Sequence, residues 1–170
     1  MALSKIQSES VNLADNFAFT GTITGAGGGK VLQCLHTSTT STVANTTTTF
    51  ADLTGMTLTI TPSATNSLIF ISASIAFAAG RSGNVDVHAS SRLLRDSTAI
   101  AGKDQRTYDY GSGGIYNAST LSYSFVDQPS TTSAVVYKFQ AKKVAADTTQ
   151  SAMNPESNNR SSMVILEIAP

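Results

Sequence analysis

The sequence predicts an all-β chain, an antiparallel β-sandwich or jelly-roll-like domain preceded by an extended N-terminal arm. Two observations carry that prediction. Apolar residues recur at every second position in short runs, which is how a strand with one buried face reads, and the runs are separated by polar turns at hairpin-like spacing. No stretch repeats with the period of a helix longer than a turn or two, which argues against an α/β fold, where helices must alternate with strands.

Residues 1–30 differ from the rest. Leu3, Ile6, Val11 and Leu13 are scattered, and then Phe17, Phe19, Gly21, Ile23 and Gly25 occupy one side of an alternating stretch with Thr20, Thr22 and Thr24 on the other. Period two marks a strand, weakened as an ordinary core strand by its two glycines. Gly25 to Gly29 then reads as a flexible linker. Thirty extended residues reach on the order of 100 Å, so this arm can contact something distant from residues 31–170, the expected sandwich domain. The alternative is a disordered tail.

Val31 to Thr37 is the first expected strand, and Cys34 within it reads as a small buried hydrophobe. The Ser/Thr tract from Thr37 to Thr49 cannot make a core and is expected at an edge or in a loop. Met56, Leu58 and Ile60 alternate with threonines as a half-buried strand, ended by the turn residues Thr61 to Asn66 around Pro62. A hairpin back into Leu68–Ala79 is expected next. That run is apolar on both faces, as for a central strand covered on both sides, and its Ile and Phe content favours a strand over a buried helix. Gly80 to Asn84 reads as a turn and Val85 to Leu94 as a strand. Gly102 to Arg106 and Tyr108 to Gly114 read as loops, and Ile115 to Val126 as a strand. Val135, Tyr137, Phe139 and Ala141 alternate with Val136, Lys138, Gln140 and Lys142, a strand with one wet face. A long polar loop from Val144 to Arg160 and a final strand from Ser162 to Ile168 complete about eight strands.

Composition limits the function. The 170 residues carry 11 basic and 11 acidic side chains, a formal net charge of zero, and only 13% charged residues. An ordinary soluble domain has about 25% charged residues, so much of this surface must be neutral. Nucleic-acid binding needs clustered Lys and Arg to neutralise phosphates, and the only adjacent basic pair is Lys142 and Lys143. Residues 1–20 lack the apolar core of a signal peptide, and the longest apolar run falls short of the ~20 residues of a membrane helix. No export and no membrane insertion are expected.

Catalytic motifs fail on inspection. Gly29-Lys30 lacks the glycine and the Ser or Thr of a phosphate loop, and Gly80-Arg81-Ser82-Gly83 lacks one residue of a nucleophile elbow. His36 and His88 have no ligand-spaced partner, and the acids are scattered singly. No catalytic residue, metal site or cofactor is expected. Tyr108, Tyr110 and Tyr116 flank a glycine-rich loop and form the one candidate receptor-facing loop, since Tyr joins an apolar ring to a polar tip. The commoner role for such tyrosines is packing over a turn.

The stretch from Lys5 to Gly27, with its Phe-x-Phe-x-Gly-x-Ile-x-Gly phrase at residues 17–25, resembles the N-terminal segment of tail-fibre-like virion proteins of tailed phages of marine bacteria and cyanobacteria. Arg92 to Ile100, Asp127 to Lys138 and Ser162 to Ala169 are similar to later stretches of the same family, in the same order. The resemblance implies a non-enzymatic structural protein of the virion, assembled in the host cytoplasm. It further implies a homotrimer whose N-terminal segments intertwine, with Phe17, Phe19 and Ile23 buried between chains, and contacts with other tail or capsid proteins. The chain departs from a full fibre in lacking a long repetitive shaft. A capsid-decorating cement protein and a carbohydrate-binding module reading a host-surface glycan are the alternatives.

Overall fold

The computed structural model describes residues 30–81, 87–107, 115–144, 148–156 and 158–170. The described residues form ten strands and no helix: β1 (Val31–Thr39), β2 (Val43–Asn45), β3 (Ala51–Ile60), β4 (Leu68–Arg81), β5 (Val87–Arg95), β6 (Thr98–Thr107), β7 (Ile115–Asp127), β8 (Val135–Lys143), β9 (Thr148–Met153) and β10 (Ser161–Ile168). Phe17, Phe19 and Ile23 of the expected arm, and Tyr108 and Tyr110, lie outside the described residues.

The pairing is nested. β5 pairs with β6, β4 with β7, β3 with β8, β2 with β9 and β1 with β10, all antiparallel. The chain is thus one long hairpin centred on the turn at Asp96 and Ser97. Rolling it up adds the pairs β4 with β10, β4 with β9, and β5 with β8. Two sheets result. In the larger, β7 lies on one edge of β4, β10 and β9 follow one another along the opposite edge, and β1 and β2 lie outside them; the smaller runs β3, β8, β5, β6.

The central turn is built from side-chain chemistry that the sequence carries. Asp96 adopts φ 53°, a left-handed conformation that Asp tolerates better than most residues. Its N–H donates to the carbonyl of Val136 at 2.7 Å, and its Oδ1 accepts from the N–H of Val136 at 2.9 Å. The two-residue turn is thereby fastened to the neighbouring strand β8.

The core lies between the sheets. Ile69, Ile71, Ile75 and Phe77 of β4, Met163 and Ile165 of β10, and Leu121 and Tyr123 of β7 face Met56 and Ile60 of β3, Tyr137 and Phe139 of β8, and Leu93 of β5. The rings of Tyr123 and Phe139 meet edge-on across the gap at 4.8 Å. Each such fully buried side chain contributes roughly 1.5–3 kcal/mol before ordering entropy is subtracted.

Several expectations are corrected. The stretch after Ile60 does not turn back as a hairpin: β3 and β4 lie in different sheets, so residues 61–67 cross between them. The β4 strand is central in its sheet but is covered on both sides only at its far end, where Ala78 and Gly80 are buried; nearer its start Ser72 and Ser74 are exposed and Phe70 half-buried on the outer side. Gly80 and Arg81 extend β4 instead of turning. Gly102–Arg106 belongs to β6, an edge strand on which Lys103, Asp104 and Arg106 are exposed and Gln105 is buried, and the polar stretch after Val144 contains β9. Edge strands need apolar residues on little of their surface, so alternation is weak there. Cys34 is exposed, because it shares the outward parity of His36 on β1. The Ser/Thr tract does supply an edge, the three-residue β2.

Two buried asparagines hold that tract in place. The Asn45 amide donates to the carbonyls of Thr49 at 2.9 Å and Ala141 at 2.8 Å, while its Oδ1 accepts from the N–H of Thr47 at 2.8 Å. Asn154, 0% exposed at φ 49°, donates its amide to the carbonyls of Thr39 and Ser41. Its Oδ1 accepts from Ser161 at 2.8 Å, and its N–H donates to Ala76 at 2.8 Å. Asn154→Ala removes the side-chain bonds to Thr39, Ser41 and Ser161 and is expected to cost roughly 2–4 kcal/mol in urea unfolding. Gly55, at φ +88°, leaves only 2.9 Å between an added Cβ and Thr39 Cβ. Gly55→Ala is therefore expected to lower the unfolding midpoint, whereas Thr54→Ala on the same exposed strand surface leaves it nearly unchanged.

Candidate functional site

The two sheets present chemically opposite outer faces. On the smaller sheet, register aligns Asp52 with Gln140, His88 with Arg106, and Ser90 with both Asp104 and Lys142, and Lys138 and Arg92 share this face. The groups neutralise one another. Lys138 Nζ lies 3.0 Å from Asp52 Oδ2, Gln140 Nε2 donates to Asp52 Oδ1 at 2.6 Å, and Arg92 donates from Nη2 to Gln140 Oε1 at 2.6 Å. The Gln140 hydrogen bond, helped by Lys138 and opposed by slight burial, holds the Asp52 carboxyl below its usual range. The Phe50 ring sits under two cations, 3.9 Å from the Arg92 guanidinium and 4.7 Å from Lys142 Nζ.

The outer face of the larger sheet carries no Asp, Glu, Lys or Arg among its described strand positions. Register sets its side chains in rows across the strands. Val31, Ile168 and Leu68 form the first, and Cys34, Leu166, Phe70 and Val126 the second. His36, Val164, Ser72 and Ser124 follow, then Ser38, Ser162, Ser74 and Ser122. Beyond them Ala44, Ala152, Ala78 and Ala118 line up, and Tyr116 stands opposite Gly80. The face thus grades from apolar through hydroxyl to alanine.

A hollow of about 580 Å³ is lined by the serines at its centre. Ser72, Ser74, Ser122, Ser124 and Ser162 border it, with Val164, Phe125, Tyr123 and the 101–103 stretch of β6. Tyr123 is pinned behind it, its hydroxyl 2.6 Å from the Ser91 hydroxyl and Lys103 Nζ 5.4 Å from its ring. Burial, opposed by the Ser91 hydrogen bond, pushes the Tyr123 phenol above its ordinary value. The hollow offers serine hydroxyls and a little apolar surface, with Lys103 on its β6 border.

Two acidic side chains, Asp127 half-buried and Glu167 fully buried, tie strands together. Asp127 takes both carboxylate oxygens to Arg95 Nη1, at 3.0 and 3.1 Å, and accepts from the Tyr137 hydroxyl at 2.7 Å. Burial, then the adjacent carboxylate, drives the Tyr137 phenol well above its usual value. Glu167, 0% exposed, accepts from the Ser63 N–H at 2.6 Å, the Ser63 hydroxyl at 3.1 Å and Gln33 Nε2 at 2.7 Å. Burial pushes its carboxyl up, but the donors around it outweigh that, so the group sits below the usual carboxylate range. This arrangement latches the 61–67 crossover to β10 and β1.

Of the sites expected from sequence, Tyr116 is described: it is 45% exposed on β7, on the uncharged face. Tyr108 and Tyr110, like Phe17, Phe19 and Ile23, lie outside the described residues. His36 projects from the uncharged face and His88 from the charged one, 3.7 Å from Asp104. No group of three or more potential metal ligands occurs among the described residues. The serine hollow and the charge partition went unread in the sequence. Their signal was the parity of Ser72 and Ser74 against Ile71, Ala73 and Ile75, repeated by Ser122 and Ser124 against Leu121, Tyr123 and Phe125.

No known protein family matches the chain, and no curated protein sequence matches it.

The sign of the Glu167 effect is testable. Its folded carboxyl lies below the ordinary value of 4.5, so its stabilising contribution is present above that value and is lost as pH falls through the folded pKa. Glu167→Gln is expected to lower Tm by several degrees at pH 7, with the gap to the parent chain closing below about pH 4. A gap that stays constant from pH 7 to pH 3 would show that the charge is not what Ser63 and Gln33 hold.

Proposed function

We propose that the chain is a non-enzymatic structural protein of a phage particle, a tail fibre or fibre-like appendage that assembles as a homotrimer through residues 1–30. The observation that carries this reading is the uncharged outer face of the larger sheet. A solvated face normally carries charge, and the smaller sheet shows where this chain puts its own; a broad face without any, open at its apolar end, fits contact with protein. The nested strand order supports a jelly-roll architecture, a fold used by viral capsid proteins and lectins, though such analogy says less than the face itself. The N-terminal resemblance adds the fibre-like placement. A low-charge contact is also insensitive to salt, which suits a particle exposed to high ionic strength.

A second reading is favoured by the serine hollow. Serine hydroxyls beside Tyr123 and Phe125, bordered by Lys103, offer the hydrogen bonds and ring faces that a saccharide takes, so the face could read a host-surface glycan. A capsid-decorating role differs in copy number, hundreds per particle against tens for a fibre.

Light scattering on the full chain and on the chain lacking residues 1–29 tests the assembly. With a protomer of 17.7 kDa, the full chain is expected at three times that mass and the shortened one at the protomer mass, still folded by circular dichroism. A monomeric full chain overturns the reading. A glycan array probed with the full chain tests the second one, and silence across neutral saccharides removes it.

A further inference from the structure

The uncharged face ends in an apolar corner where the arm leaves the domain. Val31 is 49% exposed, Leu32 39%, Leu68 36% and Val126 52%. These are four of the five large hydrophobic side chains left exposed among the described residues. Phe70 and Leu166 stand between Cys34 and Val126 in the second row and join them into one patch. The Lys30 carbonyl, accepting from the Ala169 N–H at 2.8 Å, fixes the exit of residues 1–29 at the same corner.

We infer that this corner is the seat of residues 17–25 from a neighbouring copy of the chain. The inference rests on the assembly reading above and names the surface that receives the arm. The segment is complementary in three respects. It carries no charge, as the face carries none. Phe17, Phe19 and Ile23 fall on one side, so an extended segment turns all three toward the patch while Thr20, Thr22 and Thr24 stay in water. Its length also fits: the second row crosses four strands, about 14 Å, and Phe17 to Ile23 extends about 20 Å, enough to place an anchor at each side of the row. Gly21 lies between the anchors, where the absence of a side chain lets the segment approach the sheet.

The neighbour's arm fits better than the chain's own. An own arm would have to reverse within residues 26–29 and then run back beside β1. Along β1 the face changes from Val31 and Cys34 to His36 and Ser38 within a few residues, so that path carries the rings onto polar groups. The apolar rows run across the strands, open to a segment arriving from outside.

Cys34, the only cysteine and exposed in the second row, provides the test. Gly21→Cys in the full chain is oxidised with diamide, which accepts the two electrons and two protons of disulfide formation, and run on a non-reducing gel. The parent chain, with Cys34 alone, sets the background. The expected result is covalent dimers and trimers whose linked peptide, by mass spectrometry, joins position 21 to Cys34. A link within one chain overturns the neighbour as occupant. No link in a preparation of trimer mass overturns the seat and leaves the assembly reading standing, whereas a monomer mass removes both. In parallel, Val126→Asp is expected to weaken self-association at least about tenfold, and Thr59→Asp on the opposite face is expected to leave it unchanged. Equal effects from the two substitutions would also overturn the seat.

Discussion

The position of β4 decides the rest of the domain. It is hydrogen-bonded along one edge to β7 and along the other to β10 and β9, so its parity is imposed on three neighbours at once. With Ile69, Ile71, Ile75 and Phe77 inward, Tyr123, Leu121, Met163 and Ile165 must also face the core. A slip of one residue would turn that set to solvent and bring Ser72, Ser74, Ser122 and Ser124 inside, each hydroxyl then needing a partner. The hydrophobic pattern of the inner face and the hydroxyl pattern of the outer face therefore enforce one register.

From that register follows the division of charge. Charged side chains that leave the smaller sheet have partners within reach: Asp52 between Gln140 and Lys138, and Arg92 against Gln140 and Phe50. Such exposed pairs add little stability, typically below about 1 kcal/mol each. Their value is in keeping that face soluble and unattractive to other copies. Across the core, the outer face of the larger sheet lacks this protection and ends in open Val31, Leu68 and Val126. A chain with zero net charge has little other defence against association, and this is the face that the assembly proposed above covers.

Buried polar groups complete the roll where hydrophobic patterning is silent. Glu167 holds the crossover from β3 to β4, Asn45 and Asn154 hold the Ser/Thr tract, and Asp127 joins Arg95 to Tyr137. Each contact joins segments distant in sequence, and each satisfies most of its hydrogen-bonding capacity. They specify how loops close over the ends of the sandwich, a task that apolar side chains, being non-directional, cannot perform.

Alternation alone determined the all-β class, the wet and dry faces of β3 and β8, and the final strand, because a period of two is a local property of a pleated chain. Polar strands defeated it: β6 lies on an edge and β9 carries only Ala152 and Met153 as apolar residues, and Cys34 sits in a largely apolar run although its own parity points outward. Only the tertiary structure decided that residues 61–67 cross between sheets, that serines from β4, β7 and β10 share one hollow, and that the described strand positions of one outer face are free of charge. Those features depend on which strand lies beside which, and nested pairing joins residues more than 100 positions apart, such as Leu35 and Ile165. A local pattern shows which face of a strand is dry, but which strand lies next to it emerges only when the whole hairpin closes on itself.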